Sequence, residues 1–382
     1  MTATGSPQGE PPGADLARDE RFMAAALAFG RRNLGICAPN PSVGALIVRD
    51  GILVGRGVTS TGGRPHAERI AIDEAGSAAA GATLYVTLEP CFHQGRAAPC
   101  APAIVAAGIT RVVSAIEDPD ARVAGRGHGL LREAGVAVVV GPGAREARRD
   151  HRGHILRVTQ GRPMVTLKLA RTADGYAAGD EYDPRLTITG EAANLRVQVM
   201  RAMHDAIMIG VGTALGDDPL LTVRLPGAEA FKPLRVVLDA HLRLPPRSRI
   251  GATARDFPTL AIATNAAPSE RADALKAVGV NIECVAGDRD GRIDLRSALE
   301  ALGRRGITRV FSEGGPRVGS ALIAADLVDE AILFTAQKPL GRPGLMALDG
   351  AALSALEDRT RYAETEISRF GSDEMRRFER FD

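Results

Sequence analysis

One imidazole and two thiols, His66, Cys91 and Cys100, with the carboxyl of Glu68 beside the imidazole, constrain this chain more than any other feature. One imidazole and two thiolates on a tetrahedral Zn²⁺ leave its fourth position open to water. The cation lowers the pKa of that water towards ~7. Glu68, two residues after His66, is placed to move a proton between the water and a leaving group. Such a site requires separate segments to converge. The apolar pattern of 82–87 predicts a strand running into Leu88-Glu89-Pro90-Cys91. Cys100 opens an alanine-rich helical run over 101–107, and His66 opens another over 66–74. Two helix starts facing adjacent strand ends can meet on one cation, and a helix N-terminus favours thiolate over thiol.

Blander readings exist. A lone His-x-Glu means little, and the two cysteines could be buried hydrophobes or a disulfide. A closed structural zinc site would need a fourth protein ligand, for which His93 is the nearest candidate. The whole pattern matches the zinc-deaminase signature, His-x-Glu followed by Pro-Cys-x-x-Cys, but with eight residues between Cys91 and Cys100.

A length of 382 residues suggests two domains. The apolar fraction of 45% and charged fraction of 25% are ordinary for a globular protein. A net charge of +2 argues against a nucleic-acid footprint. Four cysteines in so long a chain suit a reducing cytoplasm. Neither a signal peptide nor a membrane span is visible. Residues 1–18 read as a disordered tail. A helix over 22–32 and a hairpin of strands 43–48 and 52–56 follow, then alternating helices and strands to residue 140. That order implies a sheet covered by helices. The domains are expected at 19–145 and 164–382, joined by a linker at 146–163. The second domain restarts at a strand over 164–169 and alternates through a strand over 329–334.

The chain resembles the bifunctional deaminase–reductase family of riboflavin biosynthesis. In the first half the matching segments are Pro39-Asn40-Pro41-Ser42-Val43-Gly44, His66-Ala67-Glu68, Leu88-Glu89-Pro90-Cys91, Gly95-Arg96, Pro99-Cys100, Glu117-Asp118-Pro119 and Ala124-Gly125-Arg126-Gly127. In the second they are Leu167-Lys168-Leu169-Ala170, Asp174-Gly175, Ile188-Thr189-Gly190, Arg201, Gly212-Thr213, Asp217-Asp218-Pro219, Leu221-Thr222-Val223-Arg224 and Glu313-Gly314-Gly315-Pro316. The resemblance implies a cytidine-deaminase-like α/β/α domain followed by a dihydrofolate-reductase-like α/β domain. It implies hydrolytic deamination of a diaminopyrimidine ribotide with one Zn²⁺, then reduction of the ribosyl chain by NADPH. Asn40, His93, Arg96 and Asp118 would contact the substrate of the first reaction. Arg96 suits a phosphate, whereas Asn40 could equally be a turn residue between two prolines.

In the second domain the resemblance places Lys168, Arg201, Leu221, Arg224 and Glu313 on the substrate. Ala170, Thr187, Thr213, Asp217, Ala240, Gly315, Pro316, Arg317, Val318, Gly319, Ser320 and Ala321 would bind NADPH. Gly314-Gly315-Pro316, between a strand and a helix, suits a phosphate, although such turns also arise for steric reasons. Lys168 inside an apolar strand needs an anion or snorkels at a sheet edge. Arg201 and Arg224 could clamp the substrate phosphate. Three departures from the family stand out: Arg185-Leu186-Thr187 replaces Ser-Gln-Trp, Ala240 replaces a serine, and Arg171 replaces a small residue. Arg171 or Arg185 could neutralise a phosphate instead. Other readings remain: a deaminase with a degenerate second domain, a tRNA-type nucleic-acid deaminase, and a non-enzymatic zinc-stabilised binding protein. The expected partner is a small ribotide, with no nucleic acid or membrane, in a homo-oligomer.

Overall fold

Apolar runs set between glycine-rich turns dictate two sheets. The computed structural model describes residues 14–92, 98–180, 183 and 186–381. These form two compact units, one of residues up to 33 with 40–155, the other of 34–39 with 156–382.

The first unit contains α1 (Ala14–Gly30), β1 (Gly44–Arg49), β2 (Ile52–Val58), α2 (Ala67–Ala75), β3 (Thr83–Val86), α3 (Cys100–Ala106), β4 (Arg111–Ser114), α4 (Arg126–Glu133), β5 (Ala137–Val140) and α5 (Ala144–Asp150). The sheet order is β2-β1-β3-β4-β5. β1 pairs antiparallel with β2 and β3, and β3, β4 and β5 run parallel. Ala45, Ile47, Leu84, Val86, Val112 and Val113 are fully buried, as expected of strands covered on both faces. In this register Ala45 faces Gly57 and Ile47 faces Gly55. A Cβ on Gly57 would lie 2.0 Å from the Ala67 carbonyl oxygen, and one on Gly55 2.3 Å from that of Ala71. Glycine at both positions lets α2 lie directly on β2. On the other face, Gly44 allows the same approach to the Ala26 carbonyl of α1.

The disorder expected for 1–18 does not hold over its last five residues: α1 begins at Ala14. Residues 1–13 lie outside the described residues. The linker expected at 146–163 is largely helical, occupied by the end of α5 and by α6 (Arg152–Gln160). Its charged residues masked a short amphipathic pattern.

The second unit contains β6 (Met164–Arg171), β7 (Tyr176–Ala178), α7 (Glu191–Ala202), β8 (Ala206–Gly210), α8 (Val211–Asp217), β9 (Leu234–Leu238), α9 (Arg249–Ala252), β10 (Thr259–Thr264), α10 (Ser269–Ala277), β11 (Asn281–Val285), α11 (Leu295–Arg304), β12 (Arg309–Ser312), α12 (Pro316–Ala324), β13 (Glu330–Thr335), β14 (Leu345–Met346), α13 (Gly350–Glu357), β15 (Tyr362–Phe370) and β16 (Asp373–Arg380). Its main sheet runs β11-β10-β9-β8-β12-β6-β13-β16-β15. All neighbours through β13 are parallel, and β16 and β15 add antiparallel strands. The β15–β16 hairpin turns through Gly371-Ser372, with φ +64° at Gly371. The sequence reading stopped before it because its strands are charged on the exposed face.

His204, at the end of α7, is buried between α7 and β6. Its Nδ1 donates to the Met200 carbonyl (2.6 Å) and its Nε2 lies 3.0 Å from Thr166 Oγ1. Burial, reinforced by the Arg309 charge, pushes its pKa down to about 3. The unfolded chain, with a histidine pKa near ~6.5, therefore binds the proton first. Stability is full above that value and falls as pH drops from ~6.5 towards 3. The urea midpoint of the second unit is expected to decrease steadily between pH 7 and 5, with a shallower decrease in His204→Gln. Equal slopes in both proteins would contradict this assignment.

Candidate active sites

Three segments of the first unit deliver donors to one point. His66 is the N-cap of α2, Cys91 follows the turn after β3, and Cys100 is the first residue of α3. His66 Nδ1 lies 3.6 Å from Cys91 Sγ and 3.5 Å from Cys100 Sγ. Tetrahedral zinc with Zn–N near ~2.0 Å and Zn–S near ~2.3 Å requires N···S separations of about 3.6 Å. All three donor atoms lie within 4.8 Å of one another. The Cys100 amide donates to Cys91 Sγ at 3.3 Å. That hydrogen bond and the neighbouring Cys100 thiol favour Cys91 as thiolate, and the same contact with burial pushes Cys100 upward. Two thiols in contact cannot both ionise without a cation between them, so the donor set fits a divalent metal.

Glu89 fixes the Cys91 turn. Its buried carboxylate accepts backbone N–H bonds from Asp118 (3.0 Å), Gly125 (2.9 Å) and His128 (3.1 Å). Gly127 must be glycine, since its Cβ would lie 2.0 Å from the Pro90 carbonyl. The Ala124-Gly125-Arg126-Gly127 motif is thus the socket for Leu88-Glu89-Pro90-Cys91.

Glu68 is 3% exposed in the first turn of α2. Burial, and secondarily the Cys91 thiolate, push its pKa up to about 7. Asn40 lies on the far side of the imidazole, its Nδ2 3.2 Å from His66 Nε2 and donating to the Gly63 carbonyl at 2.8 Å. Asn40 therefore meets the metal histidine directly. Asp118 belongs to the Glu89-bound loop, and its carboxylate accepts the Asp120 N–H. His93 and Arg96 lie outside the described residues.

In the second unit a cavity of about 920 Å³ opens where the C-terminal ends of β6, β8, β9 and β12 meet α7 and α12. This is where parallel α/β sheets bind ligands. Lys168, Ala170, Thr187, Arg201, Thr213, Asp217, Arg224, Glu313, Gly315, Pro316, Arg317 and Val318 all line it. β6 lies inside the sheet, so Lys168 does not snorkel at an edge. The helix expected after Gly314-Gly315-Pro316 begins at Pro316, with Gly315 as N-cap. Gly315 N–H donates to Thr213 Oγ1 at 3.3 Å.

Leu221, Ala240, Gly319, Ser320 and Ala321 are not among the lining residues. Leu221 packs into the apolar cluster around Ile207, Val237 and Ile250. Gly319 faces Leu167 and Leu169. Ala240 presents its carbonyl to Thr264. Arg171 lies outside the lining too, with its Nε donating to Thr335 Oγ1 at 3.1 Å. Arg185 is outside the described residues.

Both arginines expected to clamp the substrate phosphate line the cavity, and they differ in their partners. Arg201 donates to both oxygens of Glu313 (2.6 and 2.9 Å) and to the Thr222 carbonyl (3.0 Å). Burial alone would raise the Glu313 pKa, but Arg201, with Lys168 and Arg224, holds it below the usual range. Arg201 is therefore committed to Glu313. Arg224 and Arg243 are exposed lining residues whose guanidinium groups make no hydrogen bond or ion pair among the described residues. Sequence reading missed Asn194, Gln198 and Arg243. Gln198 and Asn194 stand four apart on α7 beside Arg201, a spacing that placed them on the same face.

The geometry defines a zinc-type deaminase unit and an α/β ligand-binding unit. Residues 16–116 match the cytidine and deoxycytidylate deaminase zinc-binding region, and residues 163–374 match the RibD C-terminal domain. Riboflavin biosynthesis protein RibD of Escherichia coli is 37% identical over 93% of this chain and 98% of its own. That of Aquifex aeolicus is 35% identical over 95% and 99%. The solved structure of Acinetobacter baumannii RibD, form 1, has a TM-score of 0.84 and 32% identity, covering 96% of this chain and all of that one. A Thermotoga maritima structure, described as a diaminohydroxyphosphoribosylaminopyrimidine deaminase/5-amino-6-(5-phosphoribosylamino)uracil reductase, gives 0.81 and 30%, with 96% and 100% covered. The chain belongs to the RibD family of bifunctional riboflavin-biosynthesis enzymes. It is a deaminase with a zinc-binding domain and a reductase that depends on NADPH. No helix among the described residues is long and apolar enough to cross a membrane.

Because α2 carries both His66 and Glu68, its seat on β2 sets the metal site. Gly57→Ala is expected to lower zinc affinity at least several-fold, measured by competition with a chromogenic chelator. Gly129→Ala, on α4 where the new Cβ meets nothing within 4 Å, serves as control. Unchanged zinc affinity in Gly57→Ala would contradict the seating argument.

Proposed function

We propose that the first unit removes the pyrimidine 2-amino group of 2,5-diamino-6-ribosylamino-4(3H)-pyrimidinone 5′-phosphate, and that the second reduces the ribosyl chain of the product to ribityl. The convergence of His66, Cys91 and Cys100 beside buried Glu68 carries the first half of this reading. His66 Nδ1 and the two sulfurs hold the zinc, which activates water as nucleophile when bound. Glu68 takes a proton at its carboxylate, gives it to the ring nitrogen, and passes another to the departing ammonia. A carboxyl with a pKa near 7 can do both at neutral pH. Asn40, Asp118, His93 and Arg96 contact the ribotide, Asn40 from beside the metal histidine and Arg96 at the phosphate.

The second half rests on the cavity at the strand ends. Bound there, NADPH would supply the hydride for C1′ of the ring-opened imine, with a proton from solvent completing the amine at nitrogen. The start of α12, with the backbone N–H groups of Arg317 and Val318, and Thr213 beside it would hold the cofactor's phosphates. Ala170, Thr187 and Asp217 border the cofactor. Glu313, kept ionised by Arg201, accepts hydroxyls of the sugar chain, and Lys168 stands beside it. Arg224, whose guanidinium makes no hydrogen bond or ion pair in the described structure, receives the ribotide phosphate.

The two activities divide within the 146–163 segment. The substrate is a free ribotide and not a nucleic acid, in keeping with the net charge of +2. The enzyme works in the cytoplasm, where Cys91 and Cys100 stay reduced for zinc. It does so as a homo-oligomer, a reading favoured by exposed Leu195, Val199 and Ile367 on α7 and the edge strand β15.

Glu68→Gln is expected to keep its zinc and lose roughly 10³-fold in ammonia release. A deamination rate within a few-fold of the parent would remove Glu68 from the mechanism. Arg224→Ala is expected to raise the KM for the deaminated ribotide by about 10- to 100-fold, as for loss of a charged hydrogen bond. An unchanged KM would place the phosphate elsewhere.

A further inference from the structure

We infer that Gln198 is a positioning residue of the reductase, setting the anion-binding end of the cavity through Arg224. This rests on the reading that Arg224 receives the ribotide phosphate. Gln198 lies on α7, three residues before Arg201, and is 8% exposed. Its Oε1 accepts the backbone N–H of Arg224 at 2.9 Å. That bond ties the segment after α8 to a rigid helix at the residue whose guanidinium is left for a ligand. The same segment is held two residues earlier, where Arg201 donates to the Thr222 carbonyl. α7 therefore grips both sides of Val223, once through Arg201 and once through Gln198. Arg224, with its side chain exposed, leaves the segment from a root held by that bond.

Gln198 also lines the cavity, and its Nε2 makes no hydrogen bond among the described residues. A carboxamide whose oxygen is engaged has both N–H groups left to donate. An incoming phosphate on Arg224 thus meets a neutral donor as well as a cation. The neutral amide suits this position, because Glu313 with Arg201 and Lys168 already fixes the charge balance nearby. A carboxylate here would repel the phosphate.

The test compares Gln198→Met with Arg224→Ala in the zinc-loaded full-length protein. KM and kcat for the deaminated ribotide, inhibition by inorganic phosphate, the Kd of NADP⁺ and the melting temperature are measured. Gln198→Met is expected to raise KM and weaken phosphate inhibition about 5- to 10-fold, the size of a lost hydrogen bond. kcat stays within about two-fold, and NADP⁺ binding and melting are unchanged. If Arg224→Ala raises KM and Gln198→Met does not, Gln198 has no positioning role and the phosphate assignment stands. If neither variant moves KM, the phosphate assignment fails and this inference fails with it. A Gln198→Met protein that loses kcat, NADP⁺ affinity and melting temperature together would show a merely structural residue and overturn the proposal.

Discussion

Two sulfurs and an imidazole nitrogen stand at the separations of ligands on one tetrahedral cation, and the first unit is arranged around that point. Each donor stands at a junction between elements, where the backbone direction is set by packing elsewhere. α2 is set by the glycines of β2, and the turn after β3 by the Glu89 socket. The start of α3 is set by its own N–H on Cys91 Sγ. Burying Glu68 in the same place costs solvation of its charge, and that cost raises its pKa to the range where it can exchange protons. One desolvated pocket thereby holds both the three donor side chains and the Glu68 carboxyl.

The second unit uses a buried ion pair differently. Removing one partner of such a pair leaves an uncompensated charge, so Arg201 and Glu313 depend on each other. With Arg201 held by Glu313 and by the Thr222 carbonyl, the helix face that carries it acts as a brace for the strand-end cavity. At the cavity wall the guanidinium groups of Arg224 and Arg243 make no hydrogen bond or ion pair among the described residues.

The metal site was legible because its signal is chemical: donor types, their spacing, and helix starts next to strand ends. The alternation of helices and strands was legible for the same reason that β1, β3 and β4 are nearly continuous apolar runs. What escaped were features that exist only across the fold. The pairing of Arg201 with Glu313, 112 positions away, is one. Leu221 sits in a matching motif but turns into the core. Gln198 and Arg243 carry no motif, and only the cavity brings them to the same wall. Arg235, an ordinary arginine in sequence, is fully buried with its guanidinium bonded to Leu220, Ile250, Thr253, Phe257 and Thr259. The β15–β16 hairpin had a readable Gly-Ser turn, but its charged alternation reflects a half-exposed edge rather than a core.

Two reactions on one chain imply a fixed order, deamination before reduction. The most direct measurement gives zinc-loaded protein the diaminopyrimidine ribotide with NADPH and follows ammonia and NADPH absorbance together. Ammonia is expected first, with NADPH oxidation lagging and absent when zinc is withheld. NADPH oxidation that proceeds without ammonia release would contradict the order, and ammonia release with NADPH untouched would contradict the second activity.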